Sequence, residues 1–230
     1  MALTSAQIVT SVCAMCKVPG FTSLAGQFLN QTLDDLQQHF DLKMNLVTAS
    51  ISLQTGIPGP FPLEADYLRT YDLFYLVGFE PYFLQQGSLR EYDNEYQAPG
   101  YTGYPFEFAT DLSATSSGGL AQLYVYPAPS VQTTLTHRYM QRHPDITLPE
   151  SSPVIPWFID QSYLLKKTAA WLMTITDDER QPQFEAMANE ELKKHLIMEG
   201  DEQKVLRRVE LDWRTFRVGN SNKSTKTMPF

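Results

Sequence analysis

Apolar residues recur at helical spacing near the start of the chain, where Ile8, Val12 and Met15 share one face until Pro19-Gly20 stops the run. Thr4, with Gln7 three residues on, has the form of a capping box. A second helix follows at once, capped by Thr22 or Ser23, and Leu29, Leu33, Leu36 and Phe40 make its apolar stripe. On that helix Asp34, Asp35, Gln37 and Gln38 are expected to face water. Residues 1–44 therefore predict a short helical hairpin.

Over residues 45–150 the pattern changes to short runs of β-branched and aromatic residues, cut by Gly-Pro, Pro-Gly, Thr-Gly and Ser-Ser-Gly-Gly clusters. Strands are expected over 46–53, 71–77, 104–109, 120–126 and 131–141. The last two, joined through Pro127-Ala128-Pro129-Ser130, read as a pair. Val131, Thr133, Leu135, His137 and Tyr139 there alternate with Gln132, Thr134, Thr136 and Arg138. Between Tyr92 and Tyr104, several tyrosines with Pro99, Gly100 and Gly103 predict an exposed loop of a length that often accompanies function.

After Pro153-Val154-Ile155-Pro156 the helical period returns, with Phe158, Leu165, Ala169 and Leu172 on one side and Trp157, Leu164, Trp171 and Ile175 beside them. So wide an apolar arc predicts the central helix of its group. Thr176-Asp177-Asp178 is expected to cap one more helix, which carries Phe184, Ala188, Leu192 and Leu196, places Glu190 and Lys194 four apart, and ends at Gly200. Lone amphipathic helices need a partner, so the helices of 1–44 should pack on those of 151–205, with 45–150 as a β-rich insertion. Residues 206–230 read as an extended tail, since 219–227 contain no apolar side chain. The fold class expected is α+β: a helical bundle of N- and C-terminal helices, an inserted antiparallel β module and an extended C-terminal tail.

Charge sharpens this division. The chain carries a formal net charge of -8. Residues 203–230 hold seven basic side chains against Glu210 and Asp212, a net +5, so the first 202 residues carry -13. An acidic body with a basic end describes a chain whose end seeks an acidic partner. The overall charge excludes a sequence-independent nucleic-acid binder, whose affinity comes from neutralising phosphates. No apolar stretch approaches the roughly 20 residues that span a bilayer, and the N-terminal residues lack a basic segment followed by an apolar run, so a soluble, unexported chain without membrane contact is expected.

The chemical motifs yield to plainer readings. Cys13 and Cys16 match half a zinc or redox site, but the chain has no other cysteine and only four scattered histidines, so core packing is the better account. His137 and His143, about 20 Å apart along a strand, cannot share a metal. Tyr163 and Lys167 have the spacing of a dehydrogenase pair without the glycine turn after an N-terminal strand that such chemistry needs. Ser116-Ser117-Gly118-Gly119 lacks the lysine of a phosphate loop, and Asp177, Asp178 and Glu179 read as helix-start charges. Neither an enzymatic activity nor a metal, nucleotide or other cofactor is expected.

The order of elements is a helical hairpin, a β insertion ending in Leu123-Tyr124-Val125-Tyr126-Pro127-Ala128-Pro129, residues 135–139, Pro144-Asp145, residues 153–156 and a long helix. It resembles the head-to-tail adaptor proteins of tailed bacteriophages, also called head completion or connector proteins. The resemblance implies a homo-oligomeric ring of twelve beneath the portal protein, at the virion neck, whose C-terminal tail reaches onto the portal. It implies a tail or nozzle protein below and a channel through which DNA passes without specific binding. The smallest members are nearly all helical, and the larger β insertion here leaves the tail-side partner open. On this resemblance Arg214, Arg217, Lys223 and Lys226, with the apolar anchors Phe216, Val218, Met228 and Phe230, are expected to bind the portal. The rival reading is a carbohydrate- or surface-binding module built on the 92–104 loop.

Overall fold

The computed structural model describes residues 2–90, 92, 101–113, 115 and 118–199. Helix α1 (Ser5–Cys16) opens on the expected capping box: Thr4 Oγ1 accepts from the Gln7 amide at 3.3 Å, and Gln7 Oε1 accepts from the Thr4 amide at 3.0 Å. Helix α2 (Thr22–His39) begins earlier than its hydroxyls would allow as caps. Phe21 occupies the cap without a side-chain bond, which puts Thr22 and Ser23 inside the first turn. Leu29, Leu33 and Leu36 are buried, and so is Gln37, against expectation. Its amide turns inward because the backbone of 142–146 crosses that face: Gln37 Oε1 accepts from the His143 amide at 2.9 Å, and its Nε2 donates to Asp34.

Ten strands follow in the described residues: β1 (Leu46–Leu53), β2 (Phe61–Pro62), β3 (Tyr67–Val77), β4 (Glu80–Phe83), β5 (Gln85–Gln86), β6 (Thr102–Gly103), β7 (Glu107–Asp111), β8 (Gln122–Tyr126), β9 (Ala128–Pro129) and β10 (Thr133–Gln141). One antiparallel sheet runs β1-β10-β3-β4, a second runs β2-β8-β7-β5 with β5 parallel to β7, and β6 pairs with β9. The alternation over 131–141 appears as Leu135, His137 and Tyr139 pointing inward. The expected pairing of β8 with β10 is corrected, since β8 lies between β2 and β7 while β10 lies between β1 and β3. Pro127 and Pro129 have no amide hydrogen to offer a ladder, so the chain leaves one sheet there and joins the other. Both sheets contribute to one buried cluster, with Ile51, Leu73 and Leu135 meeting Phe108, Leu123 and Val125.

Helix α3 (Gln161–Ile175) is capped by Asp160, whose Oδ1 accepts from the Tyr163 amide at 3.1 Å. It contacts α1, α2 and helix α4 (Gln181–Met198). Leu29, Leu33, Leu36, Phe158, Ala169 and Leu172 are buried together, with Phe40 and Leu165 partly buried against them. Ile175 departs from expectation by standing 55% exposed at the helix end. Asp177 and Asp178 do not cap α4 either, since the cap position falls on Arg180 and Asp178 instead holds the Arg180 amide at 2.9 Å. Lys194 meets Glu190 at 3.1 Å as its spacing predicts.

A single side chain ties the end of α2 to the β strands. Arg69 of β3 donates from Nη1 to the carbonyls of Gln37 (3.0 Å) and Gln38 (3.1 Å), from Nη2 to that of Phe40 (3.1 Å), and from Nε to Asp41 Oδ1 (2.9 Å). These carbonyls are the ones a helix C-terminus leaves without partners. Replacing Arg69 with alanine is expected to lower stability by about 1.5–3 kcal/mol, as for bonds to a charged donor. Lysine, a point charge, should recover only part of that in denaturant titration.

Candidate assembly surfaces

Residues placed on the surface by these elements fall into distinct apolar groups. The β3–β4 hairpin projects from its sheet on the cross-strand pairs Tyr75–Tyr82 (5.3 Å) and Phe74–Phe83 (5.2 Å), with the Arg138 guanidinium 5.2 Å over the Phe74 ring. Val77 pairs with Glu80, so Gly78 and Phe79 form a two-residue turn, and Gly78 takes φ +67° where a side chain would be strained. The result is a tip at which Leu76 is 61% exposed, Val77 53% and Phe79 101%. Sequence reading missed this site. The available signal was Leu-Val-Gly-Phe at a turn, where polar residues usually stand.

A second apolar group lies on the irregular segment that enters α3. The Ser5 amide bonds the Val154 carbonyl at 2.8 Å and the Ala6 amide bonds the Ser152 carbonyl at 3.2 Å, which straps this segment across the start of α1. Leu148, Val154, Ile155 and Ile159 are all more than half exposed along it. Large apolar side chains left exposed within one short segment are candidates for a contact surface.

The chemically suggestive residues are engaged in structure. Cys13 and Cys16 are buried free thiols, and burial pushes the Cys16 thiol up to about 11, away from reactivity. Burial pushes the Tyr163 phenol up to about 12. Lys167 is paired with Glu185 at 2.9 Å and lies 5.3 Å over the Trp171 ring. The Asp178 carboxyl is held down to about 2 by its hydrogen bonds from Arg180. His137 and His143 bond separate partners, Thr70 Oγ1 at 3.1 Å and Asn45 Oδ1 at 3.0 Å. Among the described residues no group of three or more His, Cys, Asp or Glu is arranged to hold a metal ion, and no helix is long and apolar enough to cross a membrane.

The tyrosine-rich loop is described only at its ends. Tyr92 is 8% exposed and packs on Tyr124 at 5.2 Å, contrary to the exposed loop expected from that residue onward, whereas Tyr101 and Tyr104 are 61% and 64% exposed. The expected portal-binding residues Arg214, Phe216, Arg217, Val218, Lys223, Lys226, Met228 and Phe230 lie outside the described residues. So does Gly200, the expected end of α4.

Comparison with known proteins gives one family. The family model described as SU10 adaptor protein matches residues 3–215. No curated protein matches the chain.

Proposed function

The chain belongs to the SU10 adaptor protein family and is a structural component of a phage virion; from that premise we propose that it is a head-to-tail adaptor, a ring of twelve copies at the neck, docked on the portal by its C-terminal tail. A ring of identical subunits needs a heterologous interface, in which two different patches of one chain meet across neighbours. The observation that supports the ring is the presence of two such patches, the Phe79 tip and the Leu148 to Ile159 segment. We read the chain as four parts, 1–44, 45–150, 151–205 and 206–230, a division supported by the separate buried clusters of the helices and the sheets. The acidic body suits a DNA passage, because negative charge lets a polyanion slide without adhering. The tail or nozzle protein lies on the far side.

Native mass spectrometry and cryo-EM of the purified protein, alone and with portal rings, test this reading. Phe79→Asp should leave monomer stability within about 0.5 kcal/mol, as for exposed positions, and prevent ring closure. Rings that form normally in that variant would remove the hairpin from the interface. Deleting residues 219–230 should leave the body folded and abolish attachment to portal rings, and reversing Arg214 and Arg217 should weaken attachment in a salt-dependent way. Unchanged attachment by the truncated chain would move the portal contact onto the helical body.

A further inference from the structure

The sheet β1-β10-β3-β4 ends in two unlike edges. β4 is four residues long and carries Glu80 and Pro81, devices that guard an edge against further pairing. β1 is eight residues long, pairs without interruption with β10, and contains neither a charge nor a proline. Among the described residues nothing pairs with its other side. Such an edge is a template for one more strand, and an added strand sets alternate side chains into whatever opens beside it.

Between β1 and β2, an edge of the second sheet, opens a cavity of about 210 Å³. Its apolar walls are Ile51, Phe61 and Leu63, all buried. Ser50, Ser52 and Glu64, all exposed, form its polar rim. The space exceeds the ~150 Å³ that holds a benzene ring and falls short of the ~300–1,000 Å³ of small-molecule sites, so it suits one long side chain. The charge around it has one sign. Glu64 is the charged side chain of the lining, no lysine or arginine lines it, and among the described residues no cation pairs with the Glu64 carboxylate. His137, fully buried at the inner end, is neutral at pH 7 because burial lowers its pKa to about 4, so it adds no opposing charge. A long cationic side chain satisfies both parts of such a site, since its stem covers the apolar walls while its head meets the carboxylate and the hydroxyls. An acidic side chain would be repelled, and a purely apolar one would strip water from Glu64 without offering it a partner.

We infer that β1 is a docking edge for an extended segment of another protein, which adds to the four-stranded sheet as a fifth strand and seats a lysine or arginine side chain in the cavity at Glu64. Backbone bonds to β1 supply affinity whatever the sequence, and the cavity selects the cation. The site shares no residue with the Phe79 tip or the 148–159 segment, and it is tested without ring or portal.

The test adds to the full chain a fluorescent, blocked heptapeptide of alternating threonine and valine with a central lysine, and its twin with a central glutamate. By anisotropy the lysine peptide is expected to bind on the order of tenfold more tightly than the glutamate peptide. It should also slow hydrogen exchange within residues 46–53 and leave α1 unchanged. Glu64→Gln should weaken the lysine peptide roughly three- to tenfold. Ser50→Lys, which plants a cation on the edge itself, should abolish binding. Both positions are exposed, so both variants should fold. Phe79→Asp should bind the peptide as the wild type does, so this inference and the ring interface fail separately. No binding of the lysine peptide, equal binding of the two peptides, or binding indifferent to Ser50→Lys overturns the inference. Self-association of the chain that is lost in Ser50→Lys and kept in Phe79→Asp would give the edge to a second copy, and that also overturns it.

Discussion

Truncating Leu172 to alanine should lower the stability of the isolated chain by about 2–5 kcal/mol, the range for a fully buried leucine whose cavity cannot collapse. Leu172 has no exposed surface and sits on α3, the helix that touches α1, α2 and α4. Neighbours on three sides cannot all move inward at once, which favours the upper half of that range. Against a domain stability of ~5–15 kcal/mol the loss is a large share of the total. Leu165 shared the expected apolar face in the sequence but is only partly buried, and its truncation should cost clearly less. Denaturant titration of both variants checks the assignment. A Leu172→Ala midpoint matching the wild type, or equal losses at the two positions, would contradict the placement of α3.

The helices were the legible part of the sequence because their signals are local. The Thr4-Gln7 box, the Leu29-Leu33-Leu36 stripe and the Glu190-Lys194 pair each need only a few neighbouring residues, and each stands as expected. The strands over 46–53 and 131–141 were legible through composition and alternation, with boundaries within two residues of those observed. Their partners were not, because pairing is a long-range choice: β10 takes β1 and β3, some ninety and sixty residues away, over the adjacent β8. Gln37 was misplaced for a similar reason. Its burial depends on the amide of His143, which no helical periodicity reveals. Of the contact surfaces, the Phe79 tip lay beyond the strand expected over 71–77 and drew no reading, since exposure of an apolar turn follows from how far a hairpin projects and not from its composition. The basic tail was readable as charge and anchors alone.

Lowering the pH from about 7 to 4 should remove about 3 kcal/mol of stability through one side chain, His137. Its imidazole is fully buried on the inner face of β10, where burial lowers its pKa to about 4. Tyr67 and Tyr139 pack on the ring at 5.7 and 5.1 Å, and Thr70 Oγ1 bonds Nε2 at 3.1 Å. Among the described residues Nδ1 has no partner. His137 and Glu64 line one small cavity and the Tyr139 hydroxyl donates to Asp66, but desolvation is the cause that sets the shift. The unfolded chain takes its proton near pH 6.5 and the folded chain resists until about 4, so the unfolded state binds more protons between these values. Stability is therefore intact above pH 6.5 and falls as pH drops toward 4. Asp34 and Asp72, whose carboxyls burial raises, work in the opposite sense near the lower limit, so the wild-type curve alone mixes several groups. His137→Phe separates them: the ring is kept, the titration is removed, and Thr70 retains the Tyr67 hydroxyl at 3.0 Å. Between pH 7 and 4 the wild-type midpoint should fall relative to that of the variant, by the share that His137 carries. Parallel curves, with a constant difference across that window, would mean that His137 takes up its proton without cost and that the inner face of β10 is open to water.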